Sequence, residues 1–247
     1  MKNEKIAIVT GGASGLGYAI AKKFTEKGIK TLVLGRNEEK LKKAVSELGD
    51  NCFPVAFDLT NLTAIPELIA DLTKKHGHIN ILVNNAGIHL KKGIFEVSDE
   101  DFHRVISTNL NSVFTLTREL AKDMVKTGDG SIINISSMAA LYGIPKVIAY
   151  TASKAGIEGM TRALAVELSP LGLRINCIAP GFIKTNMSSS ALDNDPERKQ
   201  KVFSRTPMGK LGDPEDVANA AYFLTTDESS FMTGAMLPVD GGNSIGF

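Results

Sequence analysis

Lys5-Ile6-Ala7-Ile8-Val9-Thr10-Gly11-Gly12-Ala13-Ser14-Gly15-Leu16-Gly17 is an apolar run that feeds directly into a glycine-rich turn. Behind it Ala19, Ile20 and Phe24 fall at helical spacing, so the stretch reads as strand, turn and helix. Glycines at Gly11, Gly15 and Gly17 permit a tight turn, let backbone approach a pyrophosphate and let the helix pack closely on the sheet. Ser14 and Leu16 complete a loop whose N–H groups, at a helix N-terminus, suit phosphates. Glycine spacing alone also fits a turn with no ligand; its place in the first strand-helix unit favours a dinucleotide site.

Outward from this turn, apolar runs alternate with helix-periodic segments: Lys5 to Thr10, Lys30 to Leu34, Cys52 to Phe57, Ile79 to Asn84, Ser131 to Ser136, Leu173 to Ala179 and Ala235 to Val239. Most are apolar on both faces, as strands covered by helices on both sides are, which predicts an α/β fold with a doubly wound parallel sheet. The helix from Asp99 to Lys126 is the longest, and Pro170 with Gly172 closes the helix that begins near Tyr150. A chain of 247 residues suits a single domain over 1–247. Residues 186–212 show no clear pattern, and an irregular insertion of that length reads as a lid over a site.

With 43% hydrophobic and 22% charged residues and a formal charge of +1, the chain has no electrostatic footprint for nucleic acid or an anionic membrane. The start, Met1 to Lys5, has no apolar leader and the apolar runs are strand-sized, so a cytoplasmic protein is expected. Cys52 and Cys177 lie in strand-like runs and read as buried reduced thiols. His76, His78 and His103 share no spacing with a metal or triad pattern and read as surface residues; no metal is expected.

In a dinucleotide fold an acidic residue ending the second strand holds the adenine ribose 2′-hydroxyl. Here that place reads Leu34-Gly35-Arg36-Asn37: the carboxylate is missing and a guanidinium suited to a 2′-phosphate stands beside the gap. NADP is therefore expected, with NAD as second choice. Asp58 and Leu59, ending the third strand, are placed to meet the adenine, though Asp58 serves equally as a helix cap with Thr60 nearby.

Tyr150 and Lys154 stand four apart at the start of a helix and share a face. Free tyrosine has a pKa of about 10. An ammonium about 4 Å away at an effective dielectric near 20 stabilises phenolate by roughly 4 kcal/mol, about 3 pKa units, which would ready Tyr150 for proton transfer.

Taken together, Thr10 to Gly17, Asn84-Asn85-Ala86-Gly87, Asn109, Ser137 thirteen positions before Tyr150, Lys154, and Pro180-Gly181 followed by Ile183 and Thr185 resemble the short-chain dehydrogenase/reductase family nearly from end to end. The resemblance implies a Rossmann-type seven-stranded parallel sheet, usually in homotetramers or dimers joined through the long helices and the C-terminal segment. It implies that Tyr150 is general acid in reduction and general base in oxidation, with Ser137 bonded to the substrate oxygen. Lys154 would also hold the nicotinamide ribose, and Asn109 a water linking Lys154 to solvent. Asn85, Ala86 and Gly87 would line the adenosine side, with Pro180, Gly181, Ile183 and Thr185 at the nicotinamide end. Two bland roles stay open: Asn109 bridging a break in its helix, and Asn84 and Asn85 tying strands together.

His89 lies where family members carry pocket residues; with Met138, Ala139, Tyr142, Ile144, Val147 and Met187 it is expected to wall a chiefly apolar substrate pocket. The leading expectation is an NAD(P)-dependent oxidoreductase for a small polyol, sugar acid or ketone. A 3-oxoacyl-[acyl-carrier-protein] reductase is the alternative, disfavoured because the flanks Lys126 to Asp129 and Ser169 to Gly172 offer one lysine to an acidic carrier, with only Lys199, Lys201 and Arg205 on the lid to add. A non-catalytic dinucleotide-binding protein is the third reading, opposed by four intact chemical positions.

Overall fold

Strand β1 (Ile6–Thr10) is buried along its whole length, and the alternation of its side chains explains why. Ile6 and Ile8 enter one apolar layer with Leu116, Leu120 and Ile132, whereas Ala7 and Val9 enter the opposite layer with Ile20, Phe24 and Val217. The computed structural model describes residues 5–185 and 196–246, apart from the side chain of Arg198. After β1 come α1 (Gly15–Glu26), β2 (Lys30–Gly35), α2 (Glu38–Leu48), β3 (Cys52–Ala56), α3 (Ile65–His76) and β4 (Ile81–Asn84). The second half contains α4 (Asp99–Ile106), α5 (Ser112–Thr127), β5 (Gly130–Ile135), α6 (Ile148–Leu168), β6 (Leu173–Pro180), α7 (Pro196–Arg205), α8 (Pro214–Leu224) and β7 (Met236–Val239).

All seven strands are parallel, in the order β3-β2-β1-β4-β5-β6-β7. The chain order reverses between β1 and β4, and the crevice at the carboxyl ends there is where such sheets take ligands. The expected α/β doubly wound, Rossmann-type sheet is what forms. Pro54, which cannot donate a ladder bond, sits on the edge strand β3.

Three local expectations need correction. First, β4 begins at Ile81 rather than Ile79, because the Asn80 side-chain oxygen accepts the Ile6 N–H at 3.1 Å and replaces a ladder bond. Second, the helix expected over Asp99 to Lys126 is not continuous: a π-helical turn at Ser107–Asn111 forms the break that Asn109 was expected to bridge. Third, the stretch expected to be irregular contains α7, whose charged run Glu197 to Lys201 includes a Lys201–Glu197 ion pair at 2.9 Å. Residues 186–195 of that lid, Met187 among them, lie outside the described residues. His78 is also less exposed than expected, since its ring bridges Asp123 and Thr127, each at 2.9 Å.

Candidate functional site

The turn after β1 is held from two sides. Gly11 N–H donates to Leu34 O at 2.7 Å, and the Thr10 hydroxyl accepts the N–H groups of Asn85 and Ala86, both at 2.9 Å. The Asn85 amide returns a bond to Thr10 O at 2.9 Å. Gly11 has φ +65°, and a Cβ on Gly17 would stand 2.3 Å from Gly11 O, so the loop and α1 approach as only glycine permits. Ser14 caps α1 with extended backbone and makes no side-chain cap bond. Its hydroxyl and the first N–H groups of α1 therefore remain available to an anion. Thr185 closes over this turn, its methyl 3.8 Å from the place of a Gly15 Cβ.

Beside the turn, a cavity of about 180 Å³ gathers Gly11, Gly35, Arg36, Asp58, Leu59, Ala86 and Gly87, from four separate stretches of sequence expected around a dinucleotide. Arg36 and Asp58 face each other at 3.8 Å, both well exposed. Asp58 also accepts the Thr60 N–H at 2.9 Å and its hydroxyl at 2.8 Å. The Thr60 N–H chiefly, then its hydroxyl and the Arg36 charge, hold the Asp58 carboxyl below its ordinary range against some desolvation. Asp58 thus closes a local turn on Thr60 and lines the cavity; it does not cap a helix, the next helical turn, Leu62–Ala64, being preceded by Asn61. Thr60, Ile88 and Thr108 also line the cavity and carry no sequence pattern that would single them out.

At the other end of the crevice, Ser137 follows β5 and Tyr150 opens the first turn of α6. Burial pushes the Tyr150 phenol above its ordinary pKa, and a hydrogen bond with the Ser137 hydroxyl pulls the other way. The neighbouring Ser136 is occupied, its hydroxyl donating to Glu158 Oε1 at 2.9 Å, so Ser137 is the strand-end hydroxyl left facing Tyr150. Lys154 is 5% exposed; its Nζ donates to Ile135 O at 2.7 Å and lies 5.6 Å from the Tyr150 ring centroid. Burial brings its pKa down to about 8. The expected depression of Tyr150 by Lys154 is therefore not what this geometry gives: desolvation dominates both groups and opposes both charges.

Asn109, in the π turn, is 1% exposed. Its Oδ1 accepts Ile88 N–H at 2.8 Å, and its Nδ2 donates to Ile88 O at 2.9 Å and Ser153 Oγ at 3.1 Å. It thereby ties the loop after β4 to α6. A Cβ on Gly87 would come 3.2 Å from Asn109 Oδ1 and 3.8 Å from Lys154 Nζ, so that loop passes directly over both. Asn84 donates to Asn134 Oδ1 at 2.8 Å and Thr117 Oγ1 at 3.0 Å, the strand-tying role its position suggested. Pro180 ends β6 and Gly181 follows; Ile183 is 5% exposed and bridges Gly212.

Of the expected pocket walls, His89 packs its ring 5.0 Å from that of Tyr150, tilted by 55°. Met138, Ala139 and Val147 are buried to 2% exposure or less, and Ile144 is partly exposed. Tyr142 is engaged by the C-terminal segment: its hydroxyl donates to Asn243 Oδ1, and the Arg205 guanidinium stacks 4.1 Å above its ring. Arg205 also donates to Asn243 O at 2.9 Å. Nothing local in the sequence announced this cluster, which joins residues a hundred positions apart. The two thiols are inert, Cys52 pushed up to about 11 and Cys177 to about 12 by burial. No group of metal-binding side chains occurs among the described residues.

Comparison with known proteins agrees with this geometry. A family model described as enoyl-(acyl carrier protein) reductase matches residues 11–244. The 3-oxoacyl-[acyl-carrier-protein] reductase of Chlamydia muridarum is 40% identical over 242 residues, covering 96% of each chain. The 2,5-dichloro-2,5-cyclohexadiene-1,4-diol dehydrogenase of Sphingobium indicum is 39% identical over 246 residues, covering 98% of this chain and 97% of its own. A solved structure from Beutenbergia cavernae, provisionally named an NAD(P)-dependent gluconate 5-dehydrogenase and holding NADP at low occupancy, aligns with TM-score 0.92 and 36% identity over 96% of each chain.

Proposed function

Because the chain belongs to the short-chain dehydrogenase/reductase family, and so moves a hydride between a nicotinamide cofactor and a carbonyl or secondary-alcohol carbon, we propose that Tyr150 carries the proton and that NADP is the preferred cofactor. The placement of Ser137 beside Tyr150, near enough for its hydroxyl to counter the effect of burial on the phenol, with Lys154 Nζ 5.6 Å from the Tyr150 ring centroid, is the observation that carries the reading. Two hydroxyls converging at a sheet's carboxyl edge can both bond one substrate oxygen, Tyr150 giving a proton and Ser137 stabilising the charge that develops.

The residues present fit the cofactor. The cradle that a Cβ on Gly17 would fill and the uncommitted Ser14 hydroxyl suit a pyrophosphate, and the cavity at Arg36 suits an adenosine. When bound, the nicotinamide supplies or accepts the hydride. The chain's own share is binding, orientation and the proton. Lys154, beside Gly87, holds the nicotinamide ribose, while Pro180, Gly181, Ile183 and Thr185 set the nicotinamide end. In reduction Tyr150 gives its proton to the carbonyl oxygen, and Lys154 opposes the negative charge left behind. A water on Asn109 that refills this proton has no side-chain N–H to accept from, because Nδ2 is engaged by Ile88 and Ser153; the backbone carbonyl and the second lone pair of Oδ1 are its partners.

Arg36 supports NADP in two ways: Gly35 leaves no carboxylate to repel a 2′-phosphate, and an exposed ion pair at 3.8 Å is weak enough to yield to one. The substrate we favour is a small polyol, sugar acid or ketone. An acyl carrier would need a basic lid, yet Lys201 is paired with Glu197 and Arg205 is spent on Tyr142 and Asn243. We further place the protein in the cytosol as a homotetramer; no described helix is long and apolar enough to cross a membrane.

Tyr150→Phe tests the mechanism: turnover should fall at least a hundredfold while NADPH affinity, read by fluorescence titration, stays within about twofold. Unchanged turnover would remove Tyr150 from the reaction. Arg36→Asp tests the cofactor: NADPH should weaken by about tenfold more than NADH, as for a lost charge-assisted bond. Equal losses would make Arg36 a bystander.

A further inference from the structure

Two loops flank the first turn of α6. One, residues 87–95, leaves β4; the other, residues 137–150, leaves β5 and enters the helix. They are joined where Lys92 N–H donates to Lys146 O at 2.9 Å. Between them they carry His89, Lys91, Lys92 and Lys146 and not one Asp or Glu. The Lys92 charge is cancelled by Asp101. Glu96, just beyond, turns its carboxylate onto Gly93 N–H at 2.8 Å. Lys146 is different: it is exposed, and no acidic partner engages it among the described residues. It is also the one non-glycine among them at positive φ, 67°. Strain of that kind persists where the surrounding structure enforces it, and it gathers at ligand clamps. Here it stands four residues before Tyr150.

We infer that Lys146 is a specificity-determining residue that draws in a substrate bearing one carboxylate, its ammonium supplying the positive charge on the joined loops and His89 forming the wall beside the Tyr150 ring. A monoanion matches the site better than a phosphate, because one uncommitted ammonium balances a single charge and adds neither the guanidinium fork nor the backbone N–H nest that strengthen binding of a dianion. The substrate class becomes oxo acids and hydroxy acids whose carboxylate lies several bonds from the reacting carbon. This rests on Tyr150 and Ser137 as the reacting centre.

The test reads binding and turnover separately. On the enzyme–NADPH complex, butanoate, pentanoate and hexanoate are titrated against their carboxamides and followed by nicotinamide fluorescence. The acids should bind about tenfold tighter. That preference should vanish in about 1 M salt, where the Debye length is about 3 Å, and in Lys146→Asn, since asparagine accepts the same backbone. Lys146→Arg, which keeps the charge, should retain it. Equal binding of acid and amide, a preference that survives in Lys146→Asn, or tighter binding of butyl phosphate would each overturn the proposal. Reduction of 4-oxopentanoate and its amide is then measured. Ketone turnover with no preference for the acid would overturn the carboxylate site and leave the oxidoreductase intact. Selective binding of acids with no reduction of any ketone would uphold the site and sink the small-ketone reading.

Discussion

Lys154 is buried and Tyr150 partly so, and their protonation follows from that more than from each other. With the phenol pushed up, Tyr150 keeps its proton through the neutral range, the form needed to protonate a carbonyl. Lys154, brought down to about 8, is charged below that pH and neutral above it. On the proposed mechanism, once Tyr150 has given its proton, a charged Lys154 offsets the phenolate. Reductive kcat/KM should therefore be level below about pH 8 and decline as the pH rises through it. A profile flat from pH 7 to 10 would show that this charge is not required. The residue types and their i, i+4 spacing are local and were readable from the chain. The sign of the tyrosine shift was not, because burial at Ile135, Ser137 and Gly87 is a property of the assembled fold.

The elements were legible to the extent that their cause lies within their own residues. Buried strands announce themselves by Ile and Val on both faces, and the Gly11 to Gly17 turn by glycines that close approach demands. The interruption of the Asp99 to Lys126 helix had no such local cause, since the segment contains neither Pro nor Gly. It opens where Asn109 turns its amide onto the backbone of Ile88, a residue on another loop. That makes the π turn a joint between the loop after β4 and α6. Asn109→Leu should strip partners from Ile88 and Ser153, costing about 1–3 kcal/mol for each buried group left unpaired, read by denaturant unfolding. Turnover of the folded fraction should fall as well, because the loop over Lys154 loses its anchor. Lost stability with unchanged kcat would confine Asn109 to the scaffold.

At the scale of the molecule, both faces of the sheet are covered, yet the outer face of α6 is not. Val166 is 80% exposed, Ile148 41%, and on α5 Phe114 is 46% exposed under the Arg118 guanidinium. Gly159, inside α6, has nothing within 4 Å of where its Cβ would be. An interior helical glycine costs about 1 kcal/mol against alanine and gains nothing within this chain, whereas a flat small-residue surface lets a second helix approach. These exposures fit the proposed homotetramer, with α5 and α6 as one of its interfaces. Sedimentation should find tetramers, and Val166→Glu should convert them to dimers, since a carboxylate on that face would be buried against its symmetry mate. On an isolated subunit the same change would touch only solvent and leave mass and stability unaltered. Tyr150 and Lys154 ride on the first two turns of this helix, so on the proposed mechanism dissociation should also lower turnover. A wild-type monomer, or a Val166→Glu protein that still sediments as a tetramer, would move the interface elsewhere.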